Sequence, residues 1–329
     1  MTHPRLAITV GDVAGIGPEI VLKALTHDSV YDRARPFVIG DEGALRRALG
    51  LLDRELTLQR IDDPADAGRR PGTVDVFQPG ADLGEIEPGR LSAAAGAAAA
   101  EYVRAAAALV RAGAADAIVT APLNKAAMHA AGLRYPGHTE LLAELFETED
   151  YSLVLAAEGR FVFHVTTHVS LRDALANITY ERVLAVVELA SRFAHARGRG
   201  REPIVVAGVN PHAGENGIFG SEEIDVITPA LDDARRRGVE VIGPLPADAL
   251  WPAAVHGPHR FLIAMYHDQG HAPFKSVYGD SGVNITVGLP VVRTSVDHGT
   301  AFDIAGRGIA REHSLLEAIV LAADLAPVW

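Results

Sequence analysis

Short apolar runs, several rich in β-branched residues, recur along the chain at 6–10 (LAITV), 36–39 (PFVI), 117–120 (AIVT), 161–165 (FVFHV), 204–209 (IVVAGV), 261–266 (FLIAMY) and 283–287 (VNITV). Each is of strand length, and segments with helical character lie between them. That alternation predicts an α/β protein with a largely parallel sheet. The most legible helices are 91–112, rich in Ala, the strongest helix former, and 179–197 and 222–237. Each of the last two is followed by a glycine, Gly198 and Gly238, placed to cap its C-terminus.

At 329 residues the chain exceeds the usual size of a single core. No stretch rich in Pro, Gly or Ser divides it, and no repeat of fixed period is present. The domains are therefore expected to be discontinuous, residues 1–125 with 296–329 forming one and residues 126–295 the other. The expected architecture is two α/β/α domains with largely parallel sheets and an active site in the cleft between them.

Composition narrows the chemistry. With 48% hydrophobic and 22% charged residues the chain matches an ordinary globular enzyme rather than a disordered or fibrous protein. A net charge of -12 without any run of Lys or Arg removes the electrostatic footprint of a nucleic-acid or anionic-membrane binder, so an anion must be caught by a local pocket. There is no Cys, which rules out disulfides and thiolate metal sites; a metal would need His or carboxylates. The opening MTHPRLAITVGD has no apolar signal segment, and the apolar stretches are of strand length or Ala-rich, far from a membrane span. The expected location is the cytoplasm.

Four segments dense in Gly, His and Asp each begin where an apolar strand is predicted to end, the edge at which open α/β sheets bind ligands. The first, GDVAGIGPE at 11–19, is a strand-to-helix turn able to bring N–H groups to an anion, but its spacing is neither GxGxxG nor a P-loop. An ordinary structural turn explains it equally well. The second, TAPLNK at 120–125 followed by GHTE at 137–140, offers His138, Thr139 and Lys125 as donors for a phosphate or carboxylate. The plainer reading is that Thr139 caps a helix beginning at Glu140.

The third is a set of histidines, His168, His212 and His267, each one to three residues past a predicted strand. Three imidazoles with open positions suit a catalytic divalent metal, with Asp248 and Asp268 as supporting groups or a base. Among 14 histidines some must be structural, and His164, inside a strand, is expected to be a core or paired residue. The fourth is Lys275, Asn284 and Arg293, a plausible clamp for a dianion, followed by HGTAFDIAG at 298–306.

These residues resemble the PdxA family, typified by 4-hydroxythreonine-4-phosphate dehydrogenases. The match runs nearly end to end, through GDVAGIGPE, TAPLNKAAM, GHTELLA, TTHVSLRDAL, NPHAGENGIFGSEE, GPLPAD, YHDQGHAPFK and GVNITVGLPVVRTSVDHGTAFDIAGRGIA. The first motif and HGTAFDIAG also look like elements of isocitrate and isopropylmalate dehydrogenases. The resemblance implies that His168, His212 and His267 bind one divalent metal per subunit (Zn, Co or Mg), and that His138, Thr139, Lys275, Asn284 and Arg293 bind the phosphorylated substrate. It implies NAD or NADP held by His298, Gly299, Thr300, Ala301 and Asp303, with Gly11 and Asp12 assigned to the same role. It also implies a homodimer with a shared active site, the domain 126–295 carrying the substrate, metal and dimer contacts.

The expected reaction is oxidation with decarboxylation of 4-phosphohydroxy-L-threonine in pyridoxal phosphate (vitamin B6) biosynthesis, with Asp248 or Asp268 as the base. The alternative is oxidation of D-threonate or D-erythronate 4-phosphate, because the family's biosynthetic branch often has Leu, and the sugar-acid branch His, at the position of His271. A metal-dependent lyase or aldolase acting on a phosphorylated substrate would use similar groups without a nicotinamide.

Overall fold

The apolar runs at the start of the chain are parallel strands. In the computed structural model, which describes residues 3–329, strands numbered in chain order divide between two compact units. The first unit comprises residues 3–148 with 289–329. It contains β1 (Arg5–Thr9), β2 (Arg35–Ile39), β3 (Thr57–Arg60), β4 (Thr73–Phe77), β5 (Ala117–Thr120) and β12 (Val292–Val296), in the order β3-β4-β2-β1-β5-β12. Its recorded strand pairs are all parallel. The central strands are buried along almost their whole length, as expected where helices cover both faces.

The second unit, residues 149–288, contains β6 (Ser152–Ala157), β7 (Arg160–His164), β8 (Ile204–Ala207), β9 (Val241–Leu245), β10 (Phe261–Ala264) and β11 (Val283–Val287), in the order β11-β6-β7-β10-β8-β9. Here β11, β6 and β7 pair antiparallel, whereas β7, β10, β8 and β9 run parallel. The expected α/β class with largely parallel sheets is therefore what the chain forms.

The helices follow local rules. Ser92 accepts from the Ala95 N–H and starts the Ala-rich helix Ala93–Arg111. This helix is long and apolar enough to pass for a membrane span by length and composition, yet Ala95, Gly96, Ala99, Ala100, Val103 and Ala106 are buried, as in a core helix. Gly198 and Gly238 take left-handed conformations (φ 70° and 87°) just beyond the helices Tyr180–Ala196 and Thr228–Arg236.

Residues 126–148 and 289–295, placed in the second domain on sequence grounds, pack in the first unit. The physical reason is short-range. A Cβ added at Gly96 would stand 2.2 Å from the Ala127 carbonyl carbon, so the helix Lys125–Ala130 lies directly on the Ala-rich helix. β12 in turn pairs with β5, Ser295 opposite Thr120.

Gly96→Val should therefore destabilise the protein even though glycine is a poor helix residue, by about 1–3 kcal/mol or more. The clash is with backbone, which has no rotamer to move. Thermal and denaturant unfolding of the variant would read the loss.

Candidate active site

Parallel pairing gathers the first unit's candidate residues at one edge. β1, β5 and β12 end side by side, with Thr9 opposite Thr120 and Thr120 opposite Ser295. The turn leaving β1 is built by close approach. Gly11 has φ +71°, and a Cβ there would lie 2.2 Å from the Pro122 carbonyl oxygen. Asp12 donates its N–H to that oxygen (2.9 Å), and its Oδ1 accepts from the Ala14 N–H (2.9 Å).

The two motifs farthest apart in sequence meet here. Ile16 N–H donates to the Thr300 carbonyl (3.0 Å), and Glu19 Oε1 accepts from the Gly306 N–H (2.6 Å). The GDVAGIGPE turn thus seats the HGTAFDIAG loop, where His298, Gly299 and Asp303 are exposed while Thr300 and Ala301 are half-buried. Gly11 and Asp12 lie buried beneath. Burial pushes the Asp12 carboxyl up to about 6, against the lowering effect of the Ala14 N–H. Its Oδ2 has no hydrogen-bond partner among the described residues.

A second cluster in the same unit has the character of an anion pocket. Arg293, in the middle of β12, is buried and donates to Thr120 Oγ1 (2.7 Å). Burial pulls its guanidinium down to about 10, opposed by Glu140, which leaves it a cation at neutral pH. His138 opens the helix His138–Leu145, with Gly137 as N-cap. Thr139 consequently lies inside the first turn and does not cap the helix.

His138 Nε2 is buried without a hydrogen-bond partner among the described residues. Burial, and then the charges of Arg293 and Lys125, hold its imidazole well below the usual histidine range, so it is neutral. A neutral imidazole and two cations beside a helix start form a donor set suited to phosphate. Of the substrate residues inferred from sequence, the structure brings His138, Thr139 and Arg293 into this unit. Lys275, on the helix His267–Tyr278, and Asn284, on β11, belong to the other.

The second unit carries the histidines, at the ends of parallel strands: His168 beyond β7, His212 beyond β8 and His267 beyond β10. The His168 and His267 rings stand 5.6 Å apart between centroids and flank a pocket of about 310 Å³ lined also by Thr167, Val169, Tyr266 and Asp268. Two imidazoles on one tetrahedral ion, with metal–nitrogen bonds of about 2.0–2.1 Å, have centroids about 5 Å apart. Asp268 Oδ1 lies 2.7 Å from His267 Nδ1. A proton held there leaves Nε2 as the lone-pair nitrogen, the usual arrangement of a metal-binding histidine. This pair therefore fits a metal ion.

His212 stands apart from the pair. It is exposed, its Nδ1 is 3.0 Å from Glu215 Oε2, and its pKa is raised by that hydrogen bond, by the Glu215 charge and by Asp248. Among the described residues no three His, Asp or Glu side chains form a group placed to hold a metal. One chain thus brings together two of the three histidines inferred from sequence.

Behind His267 is a buried histidine chain. His271 stacks on His267 at 3.7 Å and 10°, and its Nδ1 is 3.1 Å from His164 Nε2. His164 Nδ1 in turn faces the Leu153 carbonyl oxygen (3.1 Å). A carbonyl can only accept, so His164 donates from Nδ1 and accepts at Nε2, and His271 donates from its own Nδ1. Burial, the leading cause in each case, pulls His164 down to about 4 and His271 to about 3, so both are neutral. His164 is thus the paired core histidine expected from its place inside a strand.

A family profile described as Pyridoxal phosphate biosynthetic protein PdxA matches residues 32–322. The chain belongs to the PdxA family. It is 57% identical over 328 residues, 99% of this chain and 93% of the relative, to a D-threonate 4-phosphate dehydrogenase from Bordetella bronchiseptica. It is 50% identical, over 98% of this chain and 97% of the relative, to a protein of the same name from Cupriavidus necator. A solved 4-hydroxythreonine-4-phosphate dehydrogenase from Klebsiella pneumoniae aligns with a TM-score of 0.91 at 47% identity, covering 99% of this chain and 98% of that one. This PdxA-family member is accordingly a dehydrogenase of the kind that acts on a CH–OH group.

Three residues that position the site of this PdxA-family dehydrogenase escaped the sequence reading. Thr120 orients Arg293. Gln269, next to Asp268, accepts from the Met265 N–H (2.6 Å) and donates to the Gly208 carbonyl (2.7 Å), tying the turn that carries His267 to the one leading to His212. Glu223 accepts from the Val209 and Asn210 N–H groups (both 2.7 Å). Their motifs were visible, but a side chain that serves a backbone carries no spacing signature.

The Asp12 carboxyl makes a pH prediction. Its folded pKa of about 6 lies above the ordinary 3.8, so the folded state holds this proton more tightly than the unfolded chain. Its contribution to stability is full below about pH 4 and is lost as the pH rises through about 6, by at most about 3 kcal/mol. Asp12→Asn cannot titrate. The melting temperature of the variant relative to wild type should therefore climb between pH 4 and 7, as scanning calorimetry across that range would show; a flat difference would contradict the buried, titrating carboxyl.

Proposed function

We propose that this PdxA-family dehydrogenase oxidises D-threonate 4-phosphate, with NAD or NADP and one divalent metal ion, as a cytoplasmic homodimer. The observation that carries the reading is the 57% identity, over almost the whole chain, with a protein named for that activity. On sequence alone 4-phosphohydroxy-L-threonine stood first. The relatives' names favour the sugar-acid alternative, and the histidine at 271, buried against His267, accords with it.

The phosphate is assigned to Arg293, His138 and Thr139, with Lys125 alongside. They grip the substrate away from its reacting carbon and so orient that carbon. Lys275 and Asn284 keep their proposed substrate-binding role. His168 and His267, with His212, would hold the metal, which when bound supplies Lewis-acid polarisation of the hydroxyl undergoing oxidation. The dinucleotide, the oxidant of the reaction, is assigned to the exposed loop of His298, Gly299, Thr300, Ala301 and Asp303. Gly11 and Asp12 support that loop from beneath.

Asp268, held against His267 Nδ1, orients the ring. Asp248, exposed and close enough to raise the His212 pKa, is the better placed of the two carboxylates to take the hydroxyl proton. Oxidation at C3 of threonate 4-phosphate gives a β-keto acid, and loss of its carboxyl as carbon dioxide leaves dihydroxyacetone phosphate. The same sequence on the amino acid leaves 3-amino-2-oxopropyl phosphate.

Two observations support the homodimer. Val169, Leu171 and Leu175, beside His168, and Ile218, Phe219 and Ile224, beside His212, are large apolar side chains left exposed in the single chain. The separation of His212 from the other two histidines is also what a ligand set completed by a second copy requires.

Turnover should be followed by nicotinamide absorbance with D-threonate 4-phosphate, D-erythronate 4-phosphate and 4-phosphohydroxy-L-threonine, after reconstitution with zinc, cobalt or magnesium. D-Threonate 4-phosphate should give the highest kcat/KM, dihydroxyacetone phosphate should accumulate, and chelation should abolish activity until metal is returned. A preference for the amino acid would overturn the substrate assignment.

Arg293→Ala should lower kcat/KM about 10–100-fold, mainly through KM, the loss expected when a charge-assisted contact worth about 1.5–3 kcal/mol is removed. An unchanged KM would count against the anion clamp.

A further inference from the structure

The turn that carries His212 has a rare backbone. His212, Ala213, Gly214, Glu215 and Asn216 all have positive φ, between 41° and 78°. A run of left-handed residues does not persist in an L-chain by its own preference and must be held by its surroundings. Within the turn, Ala213 N–H reaches the Asn210 carbonyl (3.1 Å), and Phe219 N–H reaches the Gly214 carbonyl (3.1 Å). The segment Pro211–Gly217 also closes short turns of its own, Ile218 N–H reaches the Glu215 carbonyl (3.3 Å), and the His212 ring packs edge-on against Phe219 at 5.7 Å.

The restraint that reaches the turn from outside it comes from one buried side chain. Glu223, 3% exposed, accepts at Oε1 from the Val209 and Asn210 N–H groups (both 2.7 Å) and at Oε2 from Asn210 Nδ2 (2.9 Å). Asn210 Nδ2 also donates to Glu222 Oε2 (2.6 Å), so both of its N–H donors are engaged. The turn closes around this carboxylate. A Cβ at Gly214 would stand 2.7 Å from Glu223 Oε2, and one at Gly208 would stand 2.9 Å from Oε1.

We propose that Glu223 is the positioning residue of this turn: its carboxylate, through Val209 and Asn210, holds residues 212–216 in the left-handed path and thereby fixes His212 where it serves the metal site. The second half of this statement rests on His212 being a metal ligand; the first does not. Glu223 touches neither substrate nor metal. It acts on the backbone that delivers the imidazole.

Hydrogen exchange of the whole enzyme, read at the 209–217 amides, and calorimetric titration with zinc would separate the two halves. In Glu223→Ala the Val209 and Asn210 amides lose their acceptor. Exchange across 209–217 should quicken at least about 10-fold and zinc affinity should fall about 10–100-fold, the range typical of lost supporting contacts, while the β7 and β10 amides keep their protection.

Glu223→Gln keeps an acceptor for both backbone donors but turns an amide toward Asn210 Nδ2, so it should fall between wild type and Ala. This milder variant carries the test if the Ala variant fails to fold. His212→Ala should weaken zinc binding without altering exchange. Wild-type exchange in both Glu223 variants would overturn the clamp. Wild-type zinc affinity in His212→Ala would remove the metal role of His212 and leave the clamp to be judged on exchange alone.

Discussion

In each unit the parallel strands run in one direction, so every segment that leaves such a strand leaves at the same edge. Thr9, Thr120 and Ser295 stand side by side in the first unit, as do His164 and Ala264 in the second. Register does the rest. Within one to four residues beyond those positions the backbone leaves its strand partners and can turn, and there the chain places Gly11 and Asp12, the 121–125 segment, the 298–303 loop and the turns of His168 and His267. A shift of one residue in the β5–β12 pairing would turn Arg293 to the opposite face and away from Thr120.

Burial decides protonation at these edges, and the outcome differs by residue type. His138, His164 and His271 pay least by staying neutral, and burial drives all three that way. Neutrality lets His164 and His271 act as a directed pair of donors and keeps His267 stacked on an uncharged ring. Arg293 has no such escape, since even at about 10 its guanidinium stays charged at neutral pH. A buried cation opposed at a distance by the Glu140 carboxylate is costly. A phosphate arriving at that position would recover much of the cost as binding energy.

The parts of this arrangement that were legible in the sequence are those written as apolar runs. β1, β2, β5, β7, β8, β10 and β11 were all anticipated to within a few residues, because strands buried on both faces read as unbroken Val, Ile, Leu and Phe. Five strands were not anticipated. β3 (TLQR) is a mostly exposed edge, β9 (VIGPL) carries Gly and Pro at the other edge, and β4 (TVDVF) and β12 (VRTSV) are interrupted by a charged residue, whereas β6 (SLVLAA) is an apolar run as plain as those that were read.

The site divides along the same line. The candidate residues could be picked out by type: the histidines at strand ends, His138 with Thr139 in one segment, and Arg293 in another. Their geometry could not. Nothing in the spacing of His168, His212 and His267 told that two would meet within one chain and the third would stand on a separate turn. Nor could it show Asp12 buried under the loop it was expected to join, because that depends on Pro122, far away in sequence, closing over Gly11.

The separate placement of His212 has an energetic logic. Four of the five left-handed residues in its turn are not glycine, and at about 1–2 kcal/mol each the path costs about 4–8 kcal/mol, somewhat less for His and Asn, which tolerate it best. Three hydrogen bonds to a buried carboxylate, at about 1.5–3 kcal/mol each, return about 4–9 kcal/mol. The carboxylate's bonds are thus of the size needed to offset the path, beside the turn's own short-range bonds. Hydrophobic packing cannot supply the restraint, because the turn carries almost no apolar surface to bury. A carboxylate beneath the backbone can, and that is where Glu223 sits.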